Sequence, residues 1–297
     1  MQLLDGQLMD SAGGIRSNVQ DLLTWGRSLL STLDGSEPTL KGLDTVLSGY
    51  SFMNRTASSD ELCALGFAKV TTPSQFGKIG FNAGLIDSMP VIEESTSKQV
   101  FYHSGGGTGY NHCYMIIPGR KAVLVVLTNS IAQGDTADWV AQTLLQAVLD
   151  VKSPVDLTSY AKKAANKWVT GYQAISDTLE KGRKSGTPQP PQRDLLGTFW
   201  HETGGLYIEV FESEGSLKFN FNGFSDQEHV LSHYHDDTFV FFPSQLERVS
   251  RGLFHYGPAT WLLHFKRNSH GEINQILWNV DTQAPEGDFQ KGQGRCR

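Results

Sequence analysis

From Asp194 onward the hydrophobic period of the chain is two, and this limits its fold more than any other feature. The segments "LYIEVF", "LKFNFNG", "HVLSHYH", "TFVFF", "WLLHFKR" and "INQILW" read as strands. Turn clusters separate them: Ser213-Glu214-Gly215, Asp236-Asp237 and Asn268-Ser269-His270-Gly271. Leu217, Phe219 and Phe221 alternate with Lys218, Asn220 and Asn222, so one face of that strand is dry and the other wet. Successive hairpins of this kind predict an antiparallel meander closing into a small barrel. Just before it, "SGTPQPPQ" cannot continue a helix. The spacing therefore predicts a first domain over 1–150, a helical and Pro-rich linker over 151–193, and a barrel over 194–297.

The first 150 residues mix periods. In "AGGIRSNVQDLLTWGRSLLSTL", Val19, Leu22, Leu23, Leu29, Leu30 and Leu33 recur at helical spacing. Ser17 and Gln20 fit a capping box, Asp34-Gly35 ends the helix, and Gly13-Gly14 marks a tight backbone approach. Residues 34–98 read as loops with short strands and helical turns. "QVFYH", "YNHCYMII" and "KAVLVVLTN" then read as three strands, the last continuously apolar and so expected to be buried on both faces. Pro118-Gly119 has the residue order of a type II turn. "DTADWVAQTLLQAVLDV" gives an amphipathic helix capped by Asp135 or Thr136. The fold class is α+β.

Several functions are excluded by what is missing. The net charge is −6 and basic residues are scattered, so no nucleic-acid surface stands out. The longest apolar run, Ala122 to Leu127, cannot span a bilayer, and Met1-Gln-Leu-Leu-Asp-Gly carries no visible secretion signal, so a cytoplasmic location is the expectation for these residues, open to change by an N-terminal part. Cys63, Cys113 and Cys296 are too few and too widely spaced for a disulfide framework or a zinc pattern. His233 and His235 stand beside Asp236 and Asp237 and have the spacing to chelate zinc, but the polar outer face of a barrel strand accounts for them better. No metal or other cofactor is expected.

"YHSGGGTGY", Tyr102 to Tyr110, is the stretch with chemical content. It is not a phosphate loop, which ends in Gly-Lys-Ser/Thr and opens a helix, because Thr108-Gly109-Tyr110 opens a strand. It is not a nucleophile elbow either, because Tyr102 takes the place of the first glycine. A strand ending in His-Ser-Gly does resemble the third motif of the serine β-lactamase and penicillin-binding-protein superfamily. The similarity is to the branch of class C β-lactamases, D-aminopeptidases and related esterases, where the motif is Lys-Thr-Gly or His-x-Gly. "AGGIRSNVQDLLTWGRSLL" resembles the family's Ala-Gly-Gly-x-x-Ser segment. "VVLTNS" and "DTADWVAQTLLQAVLD" resemble its last strand and C-terminal helix. The β-rich tail is similar to the lipocalin-like domain that some members append. Fungal members, some encoded among secondary-metabolite genes, are similar to this chain.

The resemblance implies a partial β-lactamase/transpeptidase-like domain, an antiparallel sheet flanked by helices. It implies that His103 faces the cleft and donates a hydrogen bond or charge to the substrate carbonyl or carboxylate. Ser104 would alternate away from it within the substrate-binding motif, and Gly105 would let substrate approach the backbone. The Gly106 N–H would join the oxyanion hole, a contribution of about 3 kcal/mol. The simpler alternative is that these glycines only turn the chain.

The family acylates a serine in Ser-x-x-Lys, helped by Tyr-x-Asn or Tyr-x-Ser, both N-terminal to the Ala-Gly-Gly segment. This sequence begins a few residues before that segment, so it reads as the C-terminal part of such a hydrolase. Ser95-x-x-Lys98 and Ser159-x-x-Lys162 match the spacing but not the position. A third arrangement would use Ser104 or Ser95 as nucleophile with His103 or His112. The expectation is a serine hydrolase lineage, cleaving or transferring an ester or amide acyl group, inactive as this chain alone. The alternative is a non-catalytic binding protein. The implied partners are a small ester, amide or peptide substrate and a missing N-terminal half, with no nucleic acid and no membrane. Without its first strands, the segment 1–150 is expected to be marginal alone, and 194–297 to fold independently.

Overall fold

The computed structural model describes residues 15–37, 39–53, 61–93, 97–107, 109–130, 133–251, 253, 256–279 and 285–292. The Ala12-Gly13-Gly14 segment, Ser95 and Cys296 lie outside these residues. The chain divides into two compact units, residues 1–170 and 171–297.

The first unit begins with helix α1 (Val19–Leu33). Its N-cap is Asn18, whose side chain accepts the Asp21 N–H at 3.0 Å, so the expected Ser17–Gln20 box is displaced by one residue. Asn18 serves because its side-chain carbonyl reaches the third N–H of the helix while its own backbone stays extended. Asp34 is the C-cap, and Gly35 follows at a φ of 74°. A short helix, α2 (Leu43–Val46), precedes the strands β1 (Ser51–Phe52), β2 (Glu61–Cys63), β3 (Ala68–Thr71), β4 (Ser74–Gln75) and β5 (Val91–Ile92). The three expected strands follow as β6 (Gln99–Gly107), β7 (Tyr110–Ile117) and β8 (Ala122–Thr128).

Six of these strands form one sheet in the order β1-β2-β3-β6-β7-β8, antiparallel at every step. One face packs on α1 through Leu29, Phe101, Tyr114 and Ile116. The other packs on helix α3 (Thr136–Leu149), capped by Asp135, through Val100, Met115, Ala141 and Leu145. β8 ends the sheet, and for that reason its residues are only partly covered rather than buried on both faces as expected. The Pro118-Gly119 turn also differs from expectation. It is a 3-10 turn, Pro118–Arg120, and the left-handed residue is Lys121, whose N–H bonds the Pro118 carbonyl at 2.9 Å. A type II turn would have put the positive φ on Gly119.

Helix α4 (Leu157–Gly182) runs through the unit division, and its last turns contribute Ile175 and Leu179 to the core of the second unit. After α5 (Gln192–Leu195) come β9 (Gly197–His201), β10 (Tyr207–Ser213), β11 (Ser216–Phe221) and β12 (His229–Val230). Then follow β13 (Ser232–His235), β14 (Thr238–Val240), helix α6 (Gln245–Arg251), β15 (Leu262–Arg267), β16 (Ile273–Trp278) and β17 (Gly287–Lys291).

These nine strands form one antiparallel sheet ordered β12-β11-β10-β9-β17-β16-β15-β14-β13. The first strand pairs with the last through Phe289↔His201 and Gln290↔Trp200. The two ends of the sheet, β12 and β13, are separated in sequence by Leu231 alone. The result is a nearly closed barrel, filled by Phe199, Phe219, Phe239, Phe265 and Phe289. The period-two pattern anticipated the meander, but the closing strands β9 and β17 and the helix α6 were not read from it. Among the described residues no helix is long and apolar enough to cross a membrane.

Candidate functional site

The alternation of β6 sorts the glycine-rich motif onto two faces. His103 and Gly105 lie on the α1 face, opposite Tyr114 and His112 of β7. Ser104 and Gly106 lie on the α3 face, opposite Cys113 and Asn111. Ser104 is buried, and its Oγ donates to Cys113 Sγ at 3.7 Å. Burial pushes the Cys113 thiol far above its ordinary range, which leaves it a neutral, unreactive group. The arrangement that pairs Ser104 with His103 or His112 is not formed, because the strand itself separates that hydroxyl from both imidazoles.

The backbone of β6 has the opposite distribution. The N–H of Asn111 bonds Thr128 Oγ1 at 3.2 Å, and its carbonyl accepts from the same hydroxyl at 3.1 Å. Both polar groups of Asn111 thus face β8, so Gly106 and Asn111 are a non-hydrogen-bonded pair. The N–H and C=O of Gly106, and by the same alternation those of Ser104, point away from β7. On that side the ladder with β3 stops at Ala68↔Tyr102, where β3 begins after the turn closed by the Ala64 N–H and the Phe67 carbonyl. The glycine end of β6 therefore presents its amides past the end of its neighbour.

Side chains crowd both glycines. A Cβ at Gly105 would overlap the His112 ring, and one at Gly106 would overlap the Phe81 ring and come 2.8 Å from Asn111 Oδ1. His112 thus covers the backbone that the resemblance left open to substrate, and cross-strand pairing alone could have indicated it. His103 and His112 keep exposed edges. The protein around them nonetheless holds both below the ordinary imidazole range by desolvation, and His103 depresses His112 further. Next to His103, Tyr114 belongs to an aromatic group with Trp25 at 5.1 Å and Phe67 at 6.5 Å between centroids, and Trp25 is 42% exposed.

Behind the α3 face lies a buried polar network. Asn82 Nδ2 donates to the Asp135 carbonyl and to Asp138 Oδ2, both at 2.9 Å, and Gln142 Nε2 donates to Asp138 Oδ2 at 3.0 Å. Desolvation raises both carboxyls, Asp135 to about 7. Asp135 therefore keeps a proton in the folded state between pH 3.8 and about 7 that the unfolded chain releases. Its contribution to stability is present below pH 3.8 and is lost as pH rises to about 7. Asp135→Asn retains the cap and removes this loss. It should raise stability by about 4 kcal/mol at pH 8 and by little near pH 4, as urea unfolding at the two pH values would show.

The remaining sequence candidates do not converge. Ser159 is exposed at the start of α4, with its Oγ on the Asp156 carbonyl at 3.2 Å. In the second unit Asp237 is held by Arg267 through two bonds of 2.8 Å, His233 Nε2 meets the Asp236 carbonyl at 2.9 Å, and His235 pairs with Asp236 at 3.4 Å. Among the described residues no three histidine, cysteine or acidic side chains are grouped to hold a metal ion.

The architecture is that of an α+β protein, a sheet-and-helix unit followed by an antiparallel barrel. Residues 2–147 match the Beta-lactamase family, and residues 181–293 match a domain of unknown function, DUF3471. The first part of the chain belongs to the serine β-lactamase and penicillin-binding-protein-like superfamily, which relates it to serine hydrolases. No curated protein matches the chain. Among solved structures it is similar to the octameric penicillin-binding protein homologue from Pyrococcus abyssi, with 13% identity over 92% of this chain and 47% of that one and a TM-score of 0.33. It is also similar to SurE with D-Leu, with 15% identity over 93% of this chain and 50% of that one and a TM-score of 0.24. The chain spans about half the length of these solved chains.

Proposed function

We propose that the first unit forms the strand-side wall of an acyl-serine hydrolase site for a small ester, amide or peptide. In this reading the Gly106 N–H is an oxyanion donor, and the Ser104 backbone beside it aligns the substrate. His103 donates a hydrogen bond to the substrate carbonyl or carboxylate. The observation that carries the reading is the direction of the Gly106 amide, which points past the end of β3 on a strand that also presents an exposed imidazole. An amide held by a rigid ladder and not used by it is preorganised for developing negative charge.

In this reading the nucleophile is supplied by a segment outside these 297 residues or by a partner chain, because Ser95-x-x-Lys98 and Ser159-x-x-Lys162 do not stand in the family's position. The outer edge of β8 is where such a segment would add a strand. This chain alone should form no acyl-enzyme. Intact mass spectrometry after incubation with a fluorophosphonate or with benzylpenicillin should show the unmodified mass. An adduct on any serine of this chain would overturn the assignment. The second reading is a binding protein without catalysis. Restored nitrophenyl-ester hydrolysis with a Ser-x-x-Lys partner, lost again in His103→Ala, would decide for the hydrolase.

A further inference from the structure

A cavity of about 580 Å³ lies elsewhere in the first unit, between the segment 85–91 and one face of α4. No residue of β6 or β7 lines it. Tyr160, Lys163 and Lys167 are spaced i, i+3 and i+7, so they share that helix face. Leu85, Ile86 and Met89 supply the apolar side. The wall that carries them is fixed in place, because Gln75 Nε2 donates to Ser88 Oγ at 2.8 Å and to the Met89 carbonyl at 2.6 Å, while Gln75 pairs with Val91 across β4–β5. Met89 in turn packs on Trp139 and Ala164. The depression is open to solvent on one side, with one wall held by these bonds, an apolar side and a cationic rim, the two surfaces that a small amphipathic ligand would meet.

Its charge runs against that of the chain. The protein carries −6, yet among the described residues two ammonium groups border this cavity with one carboxylate, Asp87. Among the described residues neither Lys163 nor Lys167 has an ion-pair partner, and Lys163 Nζ lies over the Tyr160 ring, 5.8 Å from its centroid. Unpaired cations beside apolar surface recognise a ligand with the complementary halves.

We propose that this cavity binds a small amphipathic carboxylate. Its hydrocarbon part would lie on Leu85, Ile86, Met89 and Tyr160, and its carboxylate between Lys163 and Lys167. The site is separate from the strand of His103 and stands whether or not that strand serves a hydrolase.

The test uses 4-phenylbutyrate and its uncharged analogue 4-phenylbutyramide, titrated into the full chain by calorimetry. The carboxylate should bind about tenfold more tightly than the amide. In the double variant Lys163→Gln/Lys167→Gln its affinity should fall to that of the amide. Both lysines are exposed, so the variant should melt like the parent, and the melt checks that its fold is intact. Equal affinity for acid and amide, affinity unchanged in the variant, or no binding of either probe would overturn the proposal.

Discussion

Glu61→Ala is expected to destabilise the first unit by about 3–5 kcal/mol, because it strands a cation in a largely dry position. The Glu61 side chain is 10% exposed and that of Lys78 22%. Lys78 Nζ contacts both carboxylate oxygens, at 2.7 and 2.8 Å, and Ser74 Oγ donates to Oε1 at 2.7 Å. One carboxylate on β2 thus ties down β4 and the turn after it. That turn leads through Gly80, which abuts the Ser104 Cβ, to Phe81, whose ring covers Gly106. The loss should therefore also appear at the candidate site, as faster hydrogen exchange in peptides spanning 74–85 and 99–107. Glu61→Leu with Lys78→Met replaces the pair by apolar groups and should recover most of the stability. A Glu61→Ala protein within about 1 kcal/mol of the parent would show that the ion pair is not what holds this segment.

Periodicity made much of this fold legible, and register made the rest illegible. The α1 boundaries followed from leucine spacing and Asp34-Gly35, and the α3 cap from Asp135. The continuous apolarity of β8 was misleading: helices covering both faces of an edge strand select the same residues as full burial does. β9 and β17 escaped because "GTFWH" and "GDFQK" are short and mostly polar or glycine-flanked. Their pairing joins residues about 90 positions apart, which no local pattern encodes. At the candidate site the motif was readable, but its geometry was not. That His112 covers Gly105, Phe81 covers Gly106, and the Gly106 amide points past β3 all depend on which residues face each other across the ladder.

Phe219→Ala should destabilise the barrel by about 3–5 kcal/mol, the range for removing a large buried aromatic side chain. Phe219 is fully buried. Its ring lies 5.2 Å from Phe221 and 4.9 Å from Phe241, both edge-on, and stacks on His229 at 5.2 Å. This aromatic cage also sets the charge of His229. Desolvation first, and then the nearby Arg251, hold that imidazole at about 4. Below pH 6.5 the unfolded chain binds a proton that the folded barrel refuses until pH falls to about 4. The barrel is therefore at full strength above pH 6.5 and weakens as pH falls from there to about 4, by roughly 3 kcal/mol in all. Opening the cage in Phe219→Ala admits water to the imidazole and should move its titration back toward 6.5. The variant should lose stability at neutral pH yet show a shallower loss on acidification, whereas Phe219→Leu, which keeps most of the volume, should fall between the two. Denaturant unfolding at pH 7 and pH 4.5, with the His229 ring proton followed by NMR, measures both effects. If the variant is destabilised but its imidazole still titrates near 4, the low value comes from Arg251, whose Nη2 lies 3.3 Å from Nε2, and not from the dryness of the cage.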